Sequence, residues 1–227
     1  MGYSKASKAN THARLVESAA ARFKERGVDG ISLADLMKDL KLTHGGFYKH
    51  FASRGELVKE ALELALSRSG EIMREHLYDG DKPDVAGFVN FYLNEAHRDG
   101  RAAGCAVAAL AGDAPRKSAD VQKRFHDYIE RTLATLGDAL GPGSPGERRE
   151  TALLTLSALY GALMMARAVG NSPLSSEVLR SVRKRVLNLT DPRPAVNIAG
   201  GKKNSRPRGR AQTRAQTKAI KSRTPRP

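Results

Sequence analysis

Cysteine is almost absent from the chain: Cys105 is the one copy in 227 residues. That excludes an internal disulfide and suits a reducing compartment. The opening residues, MGYSKASKANTHARL, lack the apolar core of a signal peptide. Gly2 follows Met1, but Ala6 stands where a myristoylation pattern needs Ser or Thr, so that anchor is set aside. Long hydrophobic runs are also scarce. The one stretch near membrane-span length, residues 152–169, is interrupted by Thr155, Ser157, Gly161 and Arg167. It reads as a helix buried among others, and no membrane partner is expected. The constellations of catalysis are missing as well. There is no nucleophile with a base, no phosphate-cradling glycine loop and no cluster of metal ligands, and the six histidines are scattered. The chain is therefore expected not to be an enzyme and to carry no cofactor or metal.

Acid is in short supply, and unevenly so. Lys and Arg number 39 against 24 Asp and Glu, a formal charge of +15, which favours a polyanionic partner. Residues 191–227 hold eleven bases and one acid, so they carry +10, and residues 1–190 only +5. That tail has almost no large apolar side chains, cannot offset its ordering entropy, and is expected to be a disordered basic extension.

Helical periodicity dominates from residue 11 to about 190, and no alternating strand pattern is convincing. Leu15, Val16, Ala19, Ala20 and Phe23 form a stripe on a first helix that stops at Gly27. Ser32 and Asp35 give a capping-box-like start to a short helix carrying Leu33, Leu36, Met37 and Leu40. After a turn at Lys41-Leu42, Thr43 opens a second short helix with Phe47 and Phe51 on one face. Ser53 starts a long helix that turns Leu57, Ala61, Leu64, Ala65 and Ile72 inward and continues to about 78. Residues 79–83 read as a turn, with Pro83 in the first position of a helix carrying Phe88, Phe91, Tyr92 and Ala96. Further helices are expected over 118–140, after the glycine- and proline-rich break at 141–146, and over about 174–189. The boundaries are a flexible start at 1–10, a small domain at 11–58, a second domain at 79–190, and the tail.

Two short helices joined by a tight turn and preceded by a third form a helix-turn-helix, whose second helix suits the DNA major groove. The segment 43–51, THGGFYKHF, has fitting chemistry. Thr43 caps the helix and can donate to phosphate. Gly45 and Gly46 permit close backbone approach, His44, Lys49 and His50 supply donors, and Tyr48 offers a ring and a hydroxyl. No acid lies between Thr43 and Gly55, which leaves the helix start open to phosphate. Two adjacent glycines each cost a helix about 1 kcal/mol, so spacing alone also fits an ordinary loop between core helices.

Residues 14–66 resemble the DNA-binding domain of the TetR/AcrR family of bacterial repressors. The resemblance lies in an ordered set of motifs: FKERG at 23–27, ISLAD at 31–35, residues 43–51, and SRGEL at 53–57. Lys41 departs from the pattern, since the family often has glycine in that turn. The resemblance implies an all-α protein: an N-terminal three-helix helix-turn-helix domain, then a C-terminal helical domain for ligand binding and dimerisation. It implies that Ser32, Thr43, Tyr48, Lys49 and Arg54 hold phosphates, and that His44, Gly45, Gly46 and His50 lie nearest base edges, where sequence is read.

For the second half the resemblance implies a homodimer, a small-molecule effector, and residence in the bacterial cytoplasm at the nucleoid. Residues 147–170 fit a dimer in their own right. Ser157, Ala158, Gly161 and Ala162 are small patches amid Leu153, Leu156, Leu159, Leu163 and Met164; a central core helix is the other reading. A two-fold dimer sets its recognition helices about 34–36 Å apart, or a multiple, and favours a palindromic operator on double-stranded DNA. Pocket candidates are Tyr92, His97, Cys105, His126, Tyr160, Met164 and Met165, residue types that equally serve a core. The stretch 104–110 resembles a family branch whose members sense electrophiles or oxidants through cysteine, while a small buried residue is the alternative for Cys105. The function implied is a sequence-specific repressor released by a small-molecule or electrophile signal. The rival is a nonspecific nucleoid-type DNA binder driven by the tail.

Overall fold

The structure, a computed structural model, describes residues 5–191. The expected tail therefore lies, from residue 192, outside the described residues, as do residues 1–4. The flexible start expected through residue 10 is instead helical from Lys5: α1 spans Lys5–Arg26. Residues 5–10 contain no Gly or Pro, and Thr11 Oγ1 donates to the Ser7 carbonyl at 3.0 Å within the same turn structure. α1 stops where Gly27 takes a φ of 78° and its N–H bonds to the Phe23 carbonyl at 2.8 Å, a left-handed cap open to glycine at no steric cost.

α2 (Leu33–Asp39) begins with the expected capping box. Ser32 accepts from the Asp35 N–H, and the Asp35 side chain accepts from the Ser32 N–H. It ends in a Schellman turn, in which the Leu42 N–H reaches the Met37 carbonyl at 2.9 Å. Lys41 is the left-handed residue of that turn, at φ 56°, and among the described residues it is the sole non-glycine with positive φ. A side chain in that region costs energy that glycine avoids, partly offset by glycine's larger unfolded-state entropy. Lys41→Gly is therefore expected to raise unfolding stability by about 0.5–1 kcal/mol. Urea denaturation checks this, and an unchanged or lower midpoint would contradict the strain.

α3 (His44–Phe47) is one turn long, shorter than the helix expected over 43–51. Thr43 caps it by accepting from the Gly46 N–H at 3.2 Å, and 48–50 continue as turns. α4 (Arg54–Leu77) starts at its cap Ser53 and runs 24 residues, about 36 Å. Leu57, Ala61 and Ala65 are buried on it as expected, and Leu64 and Ile72 are half-buried.

Residues 78–83 form a small hairpin. β1 (Tyr78–Asp79) pairs antiparallel with β2 (Lys82–Pro83), Tyr78 opposite Pro83. Pro83 is thus in a bridge and not at a helix start. Asp84 is the cap of α5 (Val85–Tyr92), accepting from the Gly87 N–H at 2.7 Å. The expected continuation to Ala96 is broken at Leu93-Asn94. Asn94 donates to the Phe91 carbonyl at 2.6 Å and accepts from the His97 N–H at 2.7 Å, which closes one helix and opens α6 (Glu95–Asp99).

α7 (Ala106–Leu110) and a 3₁₀ turn at Ala114–Arg116 lead to α8 (Ala119–Ala139), α9 (Pro145–Ala168) and α10 (Pro173–Thr190). Ser144 and Glu147 form a second capping box at the start of α9. α9 is long and apolar enough to cross a membrane by length and composition, yet one face is packed against α7, α8 and α10. α1 rests on α4 and α7, and α4 also meets α5 and α8. The described residues belong to one compact unit, and a single core runs from Leu15 to Val186. No packing gap marks the expected boundary near residue 58.

Candidate functional site

The N-terminal head presents its surface around α3. Phe47 and Phe51 are buried and stack with ring centroids 5.3 Å apart, which fixes the segment between them. Thr43, Gly45, Tyr48 and Lys49 are exposed, and Gly46 is half-buried. Tyr48 leans edge-on against Phe47 at 5.2 Å while 61% of it stays accessible. A Cβ built on Gly45 meets nothing within 4 Å, so a flat surface can approach the backbone there. His44 is the first residue of α3.

Two of the expected DNA-contacting side chains are hydrogen-bonded within the protein, and a third, His50, is half-buried beside α1. Arg54 donates through Nη2 to the Val28 carbonyl and, at 3.1 Å, to the Ile31 carbonyl, with its guanidinium over the Phe23 ring. It ties the α1–α2 loop to the start of α4. The Ser32 hydroxyl donates to Asp35 at 2.6 Å within the capping box, and that bond holds the Asp35 carboxyl below its ordinary range. His50 turns toward α1, its ring 6.0 Å from His12 and its Nδ1 buried without a hydrogen-bond partner; desolvation lowers its pKa. His12 meanwhile stacks on Phe51 and bonds to Glu60 at 2.7 Å.

A second site lies behind α4, between α4, α5, α6, α8 and α9. It is a cavity of about 370 Å³, within the usual range of small-molecule sites. Tyr92, His97, Cys105 and Tyr160 line it. His126, Met164 and Met165 do not: they sit on the surface, with His126 beside Asp127 and the methionines on the outer face of α9. Reading the sequence missed most of the wall, including Met73, His76, Phe88, Phe91, Asn94 and Tyr128. Their apolar spacing looks like ordinary core, and only the break at Asn94 opens space beside it.

His97 is the hinge of this wall. Its Nδ1 faces the Tyr92 carbonyl at 2.8 Å, and its Nε2 faces the Cys105 N–H at 3.1 Å. A carbonyl only accepts and an amide N–H only donates, so the ring is the neutral Nδ1–H tautomer. Gly104 leaves room for this packing, because a Cβ there would meet Arg167 Nη2 at 2.7 Å and the His97 ring at 3.1 Å. Arg167 itself donates to the carbonyls of His97 and Arg98. From the head, Lys24 in the last turn of α1 reaches across to donate to the Gly104 carbonyl at 3.2 Å while 7% exposed. Desolvation lowers the pKa of Lys24, with the nearby Arg68 and Arg167 adding to the effect and Cys105 opposing it. Burial likewise raises the pKa of Tyr92 well above its ordinary value, and that of Tyr160.

Burial also lowers the pKa of His97. Below the ordinary histidine value of about 6.5 the unfolded chain takes up a proton that folded His97 refuses, so stability falls with falling pH. The loss runs from about pH 6.5 down to the lowered folded value, at up to about 1.4 kcal/mol per pH unit. His97→Gln is expected to flatten the melting temperature between about pH 6.5 and 5 relative to the parent. An unchanged slope would mean that the imidazole takes its proton freely in the folded state.

Comparison with known proteins places these features. Residues 15–61 match the family model described as bacterial regulatory proteins, tetR family. An uncharacterised HTH-type transcriptional regulator of Mycobacterium tuberculosis is 26% identical over 164 residues, covering 68% of this chain and 82% of that protein. The HTH-type transcriptional repressor NemR of Escherichia coli K12 is 22% identical over 191 residues, 79% of this chain and 94% of NemR. Among solved structures, the reduced form of E. coli NemR superposes with a TM-score of 0.65 at 22% identity, covering 79% of this chain and 96% of that one. A TetR transcriptional regulator from Chloroflexus aurantiacus gives 0.69 at 22% identity, with 80% and 94% covered.

Proposed function

Since the chain belongs to the TetR/AcrR family of transcriptional regulators, we propose that it is a homodimeric repressor whose cavity senses a small molecule. The observation that carries the reading is the capped, acid-free turn at 43–50, pinned from below by Phe47 and Phe51 and open above. Thr43, Tyr48 and Lys49 are assigned to phosphates, and His44, Gly45 and Gly46 to the groove floor. Ser32, His50 and Arg54 hold the reading turn in place, because their polar groups are already engaged or turned inward.

The dimer reading rests on α9. At 100° per residue its buried positions, among them Ala152, Leu156, Leu159, Ala162 and Leu163, fall on one side of the helix. Leu153, Leu154, Ser157, Met164 and Met165 are exposed on the opposite side, with half-buried Gly161 between them. An apolar strip with small residues at its centre suits close helix–helix approach by a second copy. Of the patch expected from sequence, Ala162, Leu156, Leu159 and Leu163 belong instead to the core.

The deciding experiment compares binding of the full chain to DNA from upstream of its own gene with binding to shuffled DNA at one fixed salt concentration. Preference for the native DNA supports the repressor. Equal binding to both, abolished by deleting 192–227, would favour the nonspecific reading instead.

A further inference from the structure

The cavity has a chemical character beyond its size. We infer that it takes an uncharged, flat aromatic ligand carrying an acceptor oxygen such as a ketone, held by the Tyr92 hydroxyl. This deepens the reading of the cavity as the sensory site, and rests on it.

The walls are rings. Phe88, Phe91, Tyr92, Tyr128 and Tyr160 line the space, and His76 stacks on Phe91 at 3.5 Å. Such walls favour flat aromatic faces, through offset and edge-on packing.

Charge is missing from the lining, which holds no Asp, Glu, Lys or Arg. Two nearby cations lie behind the lining and donate to backbone, Lys24 to the Gly104 carbonyl and Arg167 through Nε and Nη2 to those of Arg98 and His97, while Arg167 Nη1 is buried without a partner. His97 is fixed in its neutral tautomer by Tyr92 and Cys105. An ionised ligand would leave water for a wall whose own residues offer it no opposite charge, a large penalty.

Among the lining residues, one fully buried side-chain polar atom is left without a partner. Tyr92 is 5% exposed and its hydroxyl has no hydrogen-bond partner; it lies beside the Cys105 sulfur, a weak acceptor at best. Burial keeps this phenol protonated, so its O–H is available to donate to an incoming acceptor. Three neighbouring polar side chains are committed. Ser69 donates to the Ala65 carbonyl and accepts from the Ala106 N–H, Asn94 caps two helices, and both nitrogens of His97 are used. A buried, unsatisfied hydroxyl facing an apolar cavity marks where a ligand oxygen belongs.

Four naphthalenes of one shape separate these arguments: acetonaphthone, ethylnaphthalene, naphthoate and naphthylmethylammonium, each titrated calorimetrically into the full chain. Acetonaphthone is expected to bind about tenfold tighter than ethylnaphthalene and about a hundredfold tighter than either ion. Tyr92→Phe, which keeps the ring and the fold, should weaken the ketone about tenfold and leave the hydrocarbon within about twofold. The inference is overturned if either ion binds as tightly as the ketone, if Tyr92→Phe leaves the ketone unaffected, or if none of the four binds. DNA titration of the same preparation separates the two readings. Sequence-selective binding with a failed ketone arm removes the ligand class alone, and ketone binding without sequence selectivity removes the repressor.

Discussion

Phe47→Ala is expected to lower the melting temperature by about 6–20 °C and to abolish DNA binding at the growth temperature. Phe47 is fully buried at the root of α3 and stacks on Phe51. Truncating a buried phenylalanine to alanine costs about 3–5 kcal/mol, and a chain of this size loses about 2–4 °C for each. Because the head shares one core with the rest of the described chain, the loss should appear as a shift of the whole transition. Calorimetry decides this. A small early transition beside an unshifted main one would show that the head melts by itself.

The second large effect separates Lys49 from Arg54, two exposed-side cations with different duties. Lys49→Ala should reduce the slope of log affinity against log salt by about 0.9, the loss of one neutralised phosphate. Arg54→Gln should leave that slope as it is while lowering folding stability by about 1.5–3 kcal/mol, since two charge-assisted bonds to Val28 and Ile31 are lost. Salt-dependent DNA titrations, made well below both melting points, and urea denaturation of the same variants provide the check. An equal drop in slope for Arg54→Gln would return Arg54 to the phosphate contacts.

Much of the head was legible because its signals are local. Ser32, Thr43 and Ser53 are all caps in the structure, and a hydroxyl before a helix needs only its own next three residues to act. Lys41 could be flagged for the same reason: the turn demands a left-handed residue there whatever surrounds it. The internal contacts of Arg54 and His50 were not legible, because the residues they meet, Val28, Ile31 and His12, are 23 to 38 positions distant in sequence. A basic residue in a DNA-binding segment looks the same whether it faces outward or grips a carbonyl.

The second half was harder for a different reason. α9 is apolar at nearly every position from Ala152 onward, so the periodicity that separates an inner from an outer face is washed out. Tyr160 then falls on the cavity and Met164 and Met165 on the surface, a distinction that only packing makes. No glycine or proline stands at the Leu93-Asn94 break, and the side-chain amide that makes it gives no sign until both helix ends are in view. The fold class and the order of helices followed from pattern; the cavity required three dimensions.

The bond from Lys24 to the Gly104 carbonyl bears on how such a protein can be taken apart. An ammonium sunk to 7% exposure and held by one peptide oxygen is acceptable only while that oxygen is there, since an unpartnered buried charge is costly. The head is thus no interchangeable cassette. Grafted onto a foreign body it carries a cation with nowhere to go, and the body left behind keeps an open carbonyl next to Cys105. A chimaera of this chain must therefore keep residue 24 and the 104 peptide together as a pair, because the join between the head and the rest of the described chain is a packed one and not a linker.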